Sequence, residues 1–139
     1  MKVYDASKLI VVFGAFSISE FSDNDFLTIS RDGDSFRDIS GVEGEVARFK
    51  TRDQRGTIKI NLMQTSSAHL KLSAIAQSDE ILGKGVLPIF IKDGNGKNLY
   101  FSPESWLLSF PEITFGKELR FWQWRVRCKI LISFTGGTT

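Results

Sequence analysis

The chain has 139 residues, of which 42% are hydrophobic, 24% are charged and 12% are aromatic, and its formal net charge is +2. This length and apolar content are sufficient for a single folded domain spanning residues 1–139, and they argue against general disorder. The single cysteine excludes an internal disulfide, and the small net charge gives no reason to propose nucleic-acid binding. Because no apolar stretch approaches the roughly 20 residues of a membrane-spanning helix, the sequence argues against a membrane protein.

Several segments are rich in the β-branched and aromatic residues that are typical of β-strands. The predicted strands, in chain order, are Leu9 to Phe13, Phe26 to Arg31, Val46 to Thr51, Thr57 to Met63, Val86 to Lys92, Asn98 to Phe101 and Arg120 to Phe134. The apolar stretch that begins at Leu9 has the length of a signal-peptide core, but Gly14 and Ala15 favour a hairpin. Asp32-Gly33-Asp34 and the stretch from Asp93 to Gly96 accept positive φ, so each predicts a hairpin or a short irregular turn.

The stretch from Arg48 to Gly56 is densely charged and leads into the alternating strand that begins at Thr57. It predicts a projecting, charged hairpin. Two interpretations remain open at this point: a solvated loop, or a contact arm that docks on a neighbouring subunit through charge pairs.

One segment departs from the β pattern. The residues from Ala68 to Glu80 are helix formers without glycine or proline, and Thr65-Ser66-Ser67 before them offers an N-cap. Gly83 and Gly85 lie where the helix must end. This helix would pack on one side of the sheet through a narrow apolar stripe made of Leu72, Ile75 and Ala76.

The last predicted strand alternates strictly from Arg120 to Phe134. Its apolar side carries Trp122, Trp124, Val126, Cys128, Ile130, Ile132 and Phe134, and its polar side carries Gln123, Arg125, Arg127 and Lys129. Such a period of two predicts one long strand with a buried and a solvated face, and a chain built from β-layers. Since Cys128 is on the apolar side, we expect a buried, inert thiol. Since the rings and the charges lie on opposite faces, a stacking groove for single-stranded nucleic acid is disfavoured.

The sequence contains no recognisable catalytic or metal-binding motif. His69 is the only histidine, no serine lies in a nucleophile elbow, and no glycine-rich phosphate loop is present. Asp23 and Asp25, or Asp32 and Asp34, could ligate a hard cation, but short acidic turns between strands are the simpler interpretation. We therefore predict no catalytic residue, no metal and no cofactor.

Short motifs dispersed along the chain resemble a known family in their order and spacing. They are Gly44 to Arg48, Gly56 to Ser66, Leu72-Ser73-Ala74, Pro88 to Asp93 and Ile113 to Glu118. Together they resemble the tail tube proteins of contractile-tailed bacteriophages, and the resemblance runs from Tyr4 to about Cys128. It implies a mainly β fold of two packed antiparallel sheets, forming a small barrel or sandwich with one flanking α-helix. The same fold occurs in type VI secretion and pyocin tube proteins.

The resemblance also implies a function, which is structural rather than enzymatic. Homohexameric rings would stack into a hollow conduit in the virion tail, synthesised in the host cytoplasm, through which DNA is ejected when the sheath contracts. The implied partners are other copies of the chain, the sheath, baseplate and tail terminator proteins, and double-stranded DNA in transient passage, without membrane insertion. The helix would face outward, nearer the sheath.

Two alternatives remain. One is a secreted tube of the type VI or pyocin kind, or a baseplate ring protein. The other is a monomeric β-barrel that binds a ligand or nucleic acid, for which a deep pocket lined by Trp106 or Trp122 would be the sign.

Site residues follow from the resemblance and from one electrostatic constraint. The charged arm corresponds to the hairpin that bridges stacked rings, so the expected inter-ring contacts are Arg48, Lys50, Arg52, Asp53 and Arg55. A wall along which a polyanion slides must not hold it, and each basic residue that neutralises a phosphate adds affinity. We therefore expect that Arg125, Arg127 and Lys129 do not all face the lumen uncompensated. Small polar residues are better lumen candidates, and they are Thr28, Ser30, Thr57 and Asn61. Lys59, which lies between two of them on the same strand, is an exception to this sorting.

Overall fold

Antiparallel strands and one α-helix make up the computed structural model, which describes residues 9–19, 21, 26–33, 36–50, 53–93 and 98–134. The elements are β1 (Leu9–Phe13), β2 (Phe16–Ile18), β3 (Leu27–Arg31), β4 (Phe36–Ser40), β5 (Val46–Lys50), β6 (Gly56–Met63), α1 (Ala68–Leu82), β7 (Leu87–Asp93), β8 (Leu99–Leu107), β9 (Phe121–Cys128) and β10 (Ile132–Phe134). Several residues of the predicted turns, acidic pairs and contact arm lie outside the described residues: Asp23, Asp25, Asp34, Arg52 and Gly94 to Gly96.

The strands form two antiparallel sheets, and the predicted fold class is confirmed. In the described part of the chain, the main sheet has eight strands in the order β2-β1-β7-β8-β9-β6-β3, with β10 also paired to β8, and these strands do not close into a barrel. The second sheet consists of β4 and β5 alone. The predicted hairpin at Gly14 is present between β1 and β2, and Gly14 adopts the positive φ of 62° that its turn requires.

A single apolar cluster lies on one side of the main sheet. On β6, Ile58, Ile60 and Leu62 are fully buried and alternate with less buried residues. Val11 and Phe13 of β1, near the other end of the sheet, belong to the same cluster. Because strands from both ends of the strand order share one core, the sheet must curve around it.

The helix covers this core with the predicted stripe, since Leu72, Ile75 and Ala76 are all buried. The helix begins at Ala68, as predicted, and its first turn is held by Ser66 rather than by Ser67. The hydroxyl of Ser66 accepts a hydrogen bond from the Ala68 amide at 3.3 Å and donates one to the Ser19 carbonyl at 2.9 Å. The helix ends at Leu82 instead of Glu80, where Gly83 adopts a left-handed φ of 66°.

The last strand is interrupted, so the prediction of one uniform strand from Arg120 to Phe134 is wrong. β9 and β10 pair with β8 in one continuous register, with Cys128 opposite Ser105 and Ile132 opposite Phe101. The inward face changes between them, because Leu131 is buried at 1% exposure whereas Ile132 and Phe134 are 37% and 62% exposed.

A bulge in β8 explains this change of face. Where β7 advances from Leu87 to Ile89, β8 advances from Ser105 to Ser102, so β8 contains one extra residue. Both serines are buried, and each hydroxyl donates to a backbone carbonyl nearby. Beyond an extra residue, each side chain of the strand points to the opposite side of the sheet from the one that its earlier alternation would give. The alternation of a single segment does not reveal a bulge in the strand that pairs with it.

The projecting hairpin exists, but its position differs from the prediction. β5 pairs with β4, a strand that the sequence analysis did not identify, and not with β6. The turn lies between Gly41 and Glu45, where the Gly41 amide donates to the Glu45 carbonyl at 2.6 Å. The tip of the hairpin therefore lies before the stretch from Arg48 to Gly56 in which it was predicted, and residues 53–55 lead to β6. We call residues 36–50 the arm.

A matched pair of glycine substitutions tests the packing at the start of β6. A Cβ at Gly56 would clash with Cδ2 of the buried Leu131, whereas a Cβ at Gly33 would meet nothing within 4 Å. We expect Gly56→Ala to lower the free energy of unfolding by about 1–3 kcal/mol through overpacking. Gly33→Ala, the control, should change it by no more than about 0.5 kcal/mol. Urea titration measures both, and equal effects would contradict the described contact.

Candidate functional site

A continuous polar surface lies on the side of β3, β6 and β9 that faces away from the core. Cross-strand partners share a face, and the register places Thr28 beside Lys59 and Arg125 in one row. In the next row Ser30 lies beside Thr57 and Arg127. We call this surface the polar face; its residues are Thr28, Ser30, Thr57, Lys59, Asn61, Gln123, Arg125 and Arg127.

The four small residues expected at the lumen lie on the polar face together with basic residues that they were expected to replace. Thr57 and Arg127 are direct cross-strand partners. The sequence analysis treated these groups as separable, and the register does not separate them. Any partner that contacts Thr28, Ser30, Thr57 and Asn61 therefore also meets Lys59 and Arg125.

Asp32 compensates one of these charges. Its Oδ2 lies 3.2 Å from Nε of Arg127, and its Oδ1 accepts a hydrogen bond from the Thr57 hydroxyl at 2.8 Å. Nε of Arg127 is buried and has no partner in hydrogen-bond geometry, so its contact with Asp32 is ionic attraction rather than an aligned hydrogen bond. Both side chains are only partly exposed, at 26% for Arg127 and 19% for Asp32, which limits screening by solvent.

The remaining cations differ in their surroundings. Lys129 lies 3.2 Å from Glu104 in an exposed ion pair. Arg125 donates from Nη2 to the Ser109 hydroxyl at 3.1 Å. Among the described residues, no carboxylate lies within ion-pair distance of Arg125 or Lys59. The polar face therefore keeps a modest positive charge.

The arm exposes apolar side chains on both of its faces. Phe36, Val46 and Arg48 share one face, on which the Arg48 guanidinium lies 4.3 Å from the centre of the Phe36 ring. Ile39 and Phe49 lie on the other face, 60% and 44% exposed. A two-stranded hairpin alone is only marginally stable in water. The arm therefore has the composition of a segment that another surface covers.

The expected inter-ring residues do not form one patch. Arg48 and Lys50 lie on the arm. Asp53 and Arg55 lie in the link to β6, where two side-chain hydrogen bonds of 2.9 Å join them. These hydrogen bonds from Arg55 lower the pKa of Asp53 to about 2. Because Asp53 and Arg55 compensate each other, Arg48 and Lys50 are the better candidates for contact with another molecule, and Arg52 lies outside the described residues.

A long irregular segment that we call the aromatic loop (residues 108–120) joins β8 to β9. The Phe110 ring packs 6.1 Å from Trp124, and the Phe115 ring packs edge-on 5.9 Å from Trp122. An open cleft of about 320 Å³ lies beneath the loop. Nε1 of Trp122 is buried and has no hydrogen-bond partner among the described residues. The cleft is lined by Glu112, Thr114, Glu118, Leu119, Arg120, Phe121 and Trp122.

This loop was not among the sites predicted from the sequence. The available signal was an apolar stretch interrupted by Pro111 and Gly116, a composition that suits neither a strand nor a helix. Loops of this length without regular structure are commonly functional. Of the two tryptophans named for a ligand pocket, Trp122 lines the cleft, while Trp106 is half-buried on β8 beside Arg127.

The reactive side chains of the described residues are engaged in packing. His69 contacts the Met63 carbonyl through Nε2 at 2.8 Å and accepts a hydrogen bond from the Trp124 indole through Nδ1 at 3.0 Å. Cys128 is fully buried, as predicted, and burial raises its pKa to about 11. In the described ranges no group of histidine, cysteine and carboxylate side chains could hold a metal ion, and no helix there has the length and apolar character to cross a membrane.

Comparison with known proteins relates the chain to a phage protein. No protein-family model matches it. A relative, "Structural protein ORF10" of Pseudomonas phage KPP10, is 24% identical over 124 residues, which cover 88% of this chain and 68% of the phage protein.

Solved structures share the fold over almost the whole chain. The PVC sheath/tube terminator of an extracellular contractile injection system is 14% identical with a TM-score of 0.65, covering 97% of this chain and 99% of that one. A chain of the PVC sheath-tube complex is 13% identical with a TM-score of 0.66, covering 95% and 91%. The anti-feeding prophage cap, a tube terminating cap, is 13% identical with a TM-score of 0.63, covering 98% and 93%. These relationships are to structural proteins and confirm the prediction that the chain is not an enzyme.

Thiol chemistry tests the burial of Cys128. With its pKa raised from 9.0 to about 11 and no exposed surface, the thiol should resist alkylation by iodoacetamide at pH 8 in the folded protein. In denaturant the same thiol should react within minutes. Mass spectrometry of the intact protein measures the modification, and rapid labelling under native conditions would contradict the buried position.

Two carboxylate-to-amide substitutions with the same change of charge test the Asp32 contact. We expect Asp32→Asn to lower the free energy of unfolding at pH 7 by about 1–2 kcal/mol, because it leaves the partly buried Arg127 guanidinium without its counter-charge. Glu104→Gln removes an exposed pair whose side chains are 51% and 64% exposed. It should change stability by no more than about 0.5 kcal/mol. A larger loss for Glu104→Gln than for Asp32→Asn would contradict the assignment.

Proposed function

We propose that this chain is a subunit of the inner tube of a contractile tail, in which hexameric rings stack into a hollow conduit for DNA. The observation that carries the proposal is the arm, a hairpin with exposed apolar side chains on both faces. It is supported by the likeness to a phage structural protein and by the fold of the sheath-tube complex and tube terminator chains. Repeated copies of the chain would cover the arm and remove its free strand edges.

The polar face is the proposed wall of the bore. It is solvated, and β3 contributes to it two exposed hydroxyl side chains, Thr28 and Ser30. Asp32 offsets the charge of Arg127, so the wall presents fewer free cations than its arginines suggest. Lys59 and Arg125 are the side chains through which passing DNA would be attracted, with an affinity that falls as salt rises.

The other surfaces have roles in the same arrangement. We assign Arg48 and Lys50 of the arm to contacts between rings, and the joined Asp53 and Arg55 to holding the base of the arm. The outer side of α1 is assigned to the sheath, and Leu70 and Ile81 there are 80% and 78% exposed. The particle-associated location and the tail partners of the chain follow from this role.

A tube terminator is the second candidate. Two of the solved structures that share the fold are a sheath/tube terminator and a tube terminating cap. A terminator would form a ring but would not repeat along the axis. The two candidates differ in whether purified rings stack.

Electron microscopy with size measurement tests the proposal. Purified protein at high concentration should form hexameric rings and stacked tubes in negative stain, and light scattering should give the mass of a hexamer or its multiples. The variant Phe36→Ser/Phe49→Ser should leave rings that no longer stack, because both arm faces lose apolar area. Leu70→Ser on the helix is the matched control and should stack normally.

Other outcomes have distinct meanings. Wild-type rings that never stack would favour the terminator and count against the tube subunit. A stable monomer at every concentration would contradict both candidates and favour a monomeric ligand- or nucleic-acid-binding protein. A cooperative thermal transition for each variant excludes loss of folding as the cause.

A further inference from the structure

We propose that the arm of one copy docks in the cleft beneath the aromatic loop of a second copy in the adjacent ring. The inference rests on the proposed tube function and identifies the surface that receives the arm. It assigns the Phe36, Val46 and Arg48 side of the arm to contact with Glu112, Glu118 and Leu119 of the cleft.

The two surfaces lie at opposite ends of one strand pair. Gly56 pairs with Cys128 at one end of β6 and β9, and Met63 pairs with Phe121 at the other. The arm leads into the Gly56 end through residues 53–55, and the aromatic loop enters at Phe121. A strand of this length spans roughly 25 Å, so the base of the arm and the aromatic loop are well separated within one copy. A contact between different surfaces on opposite ends is head-to-tail and repeats from copy to copy.

Both surfaces are apolar and uncovered. The large exposed hydrophobic residues of the arm are Phe36, Ile39, Val42, Val46 and Phe49. Those of the aromatic loop and the first residue of β9 are Phe110, Ile113, Phe115, Leu119 and Phe121. Exposed apolar clusters of this kind mark interaction surfaces. Docking would remove Phe36 and Val46 of the arm, together with part of the aromatic loop, from water in a single contact.

Their charges are complementary. The Phe36 side of the arm carries two cations, Arg48 and Lys50, and one carboxylate, Asp38. Neither cation forms an ion pair with a described carboxylate, so this side keeps an excess of positive charge. The cleft carries Glu112 and Glu118, which form no ion pair with a described cation, and one cation, Arg120, so that its carboxylates outnumber its cations. Opposite charges across a contact set its orientation and suppress wrong partners.

Crosslinking between separately prepared copies tests the contact. Val46→Cys on one copy and Leu119→Cys on another should be joined by a short bis-maleimide when the two are mixed. Mixtures in which Leu70→Cys on the outer side of α1 replaces either partner should yield no product. Cys128 is buried and contributes no background. Absence of the first product, or equal yields in all mixtures, would overturn the inference.

Charge reversal tests its orientation. Arg48→Glu/Lys50→Glu on the arm copy should abolish the crosslink, and Glu112→Lys/Glu118→Lys on the cleft copy should do the same. Combining the two reversed copies should restore the product, because the charges again attract. Failure of the combination to restore it, with all variants folded by circular dichroism, would contradict docking through these charges.

The same samples separate this inference from the proposed function. Stacked rings in the microscope without the Val46 to Leu119 product would overturn the docking surface and leave the tube subunit supported. The product, with its charge rescue, in dimers or fibres that lack rings would support the docking surface and overturn the tube subunit. Absence of both product and rings would overturn the two together.

Discussion

The pairing of β6 between β3 and β9 is the constraint on which the rest of the structure depends. It sends Ile58, Ile60 and Leu62 into the core, where all three are fully buried. The same backbone must then direct Thr57, Lys59 and Asn61 to the opposite side. A polar face is therefore an unavoidable consequence of building the core from this strand. Its composition cannot change independently of the register, since a slip of one residue would exchange the two sides.

That constraint explains how basic residues come to share a surface with small hydroxyl residues. Arg127 lies opposite Thr57 because Val126, its neighbour, lies opposite Ile58 in the core. The chain offsets this charge locally with Asp32, which also binds the Thr57 hydroxyl. The carboxylate of Asp32 offsets the charge of Arg127 without any change in the register. Only a substitution of Arg127 would remove that charge altogether. The polar face, which we propose lets DNA pass, thus depends on the ion pair between Arg127 and Asp32.

The uncovered segments are the second consequence of this architecture. One apolar cluster takes up the inward faces of the main sheet and one side of α1, and the arm contributes none of its members. The aromatic loop is held in place by Phe110 on Trp124 and Phe115 on Trp122, yet Ile113 and Leu119 remain at least half exposed. The aromatic side chains of Phe110 and Phe115 pack inward and hold the loop in place, while the rest of the loop stays open to solvent. The loop is therefore a preformed surface. Such a surface suits repeated assembly, because little ordering is lost when a partner binds.

The sequence by itself determined the parts of the fold that depend on local periodicity. The inward set of β6, the stripe of α1, the hairpin at Gly14 and the buried thiol of Cys128 each follow from the spacing of apolar residues or from the conformational freedom of glycine. Local spacing also indicated that a hairpin projects from the chain, although it did not indicate where that hairpin turns.

Tertiary structure alone decided which strands became neighbours. The bulge in β8 reversed the face of β10 and made Leu131, rather than Ile132, a core residue. Pairing of β5 with β4 moved the tip of the arm to the turn between Gly41 and Glu45, and pairing of β6 with β9 placed Thr57 beside Arg127. These outcomes depend on hydrogen bonds between segments far apart in the chain. The side-chain period within one segment contains no information about the register or the bulges of its partner, and this is the physical reason that only the folded structure decides them.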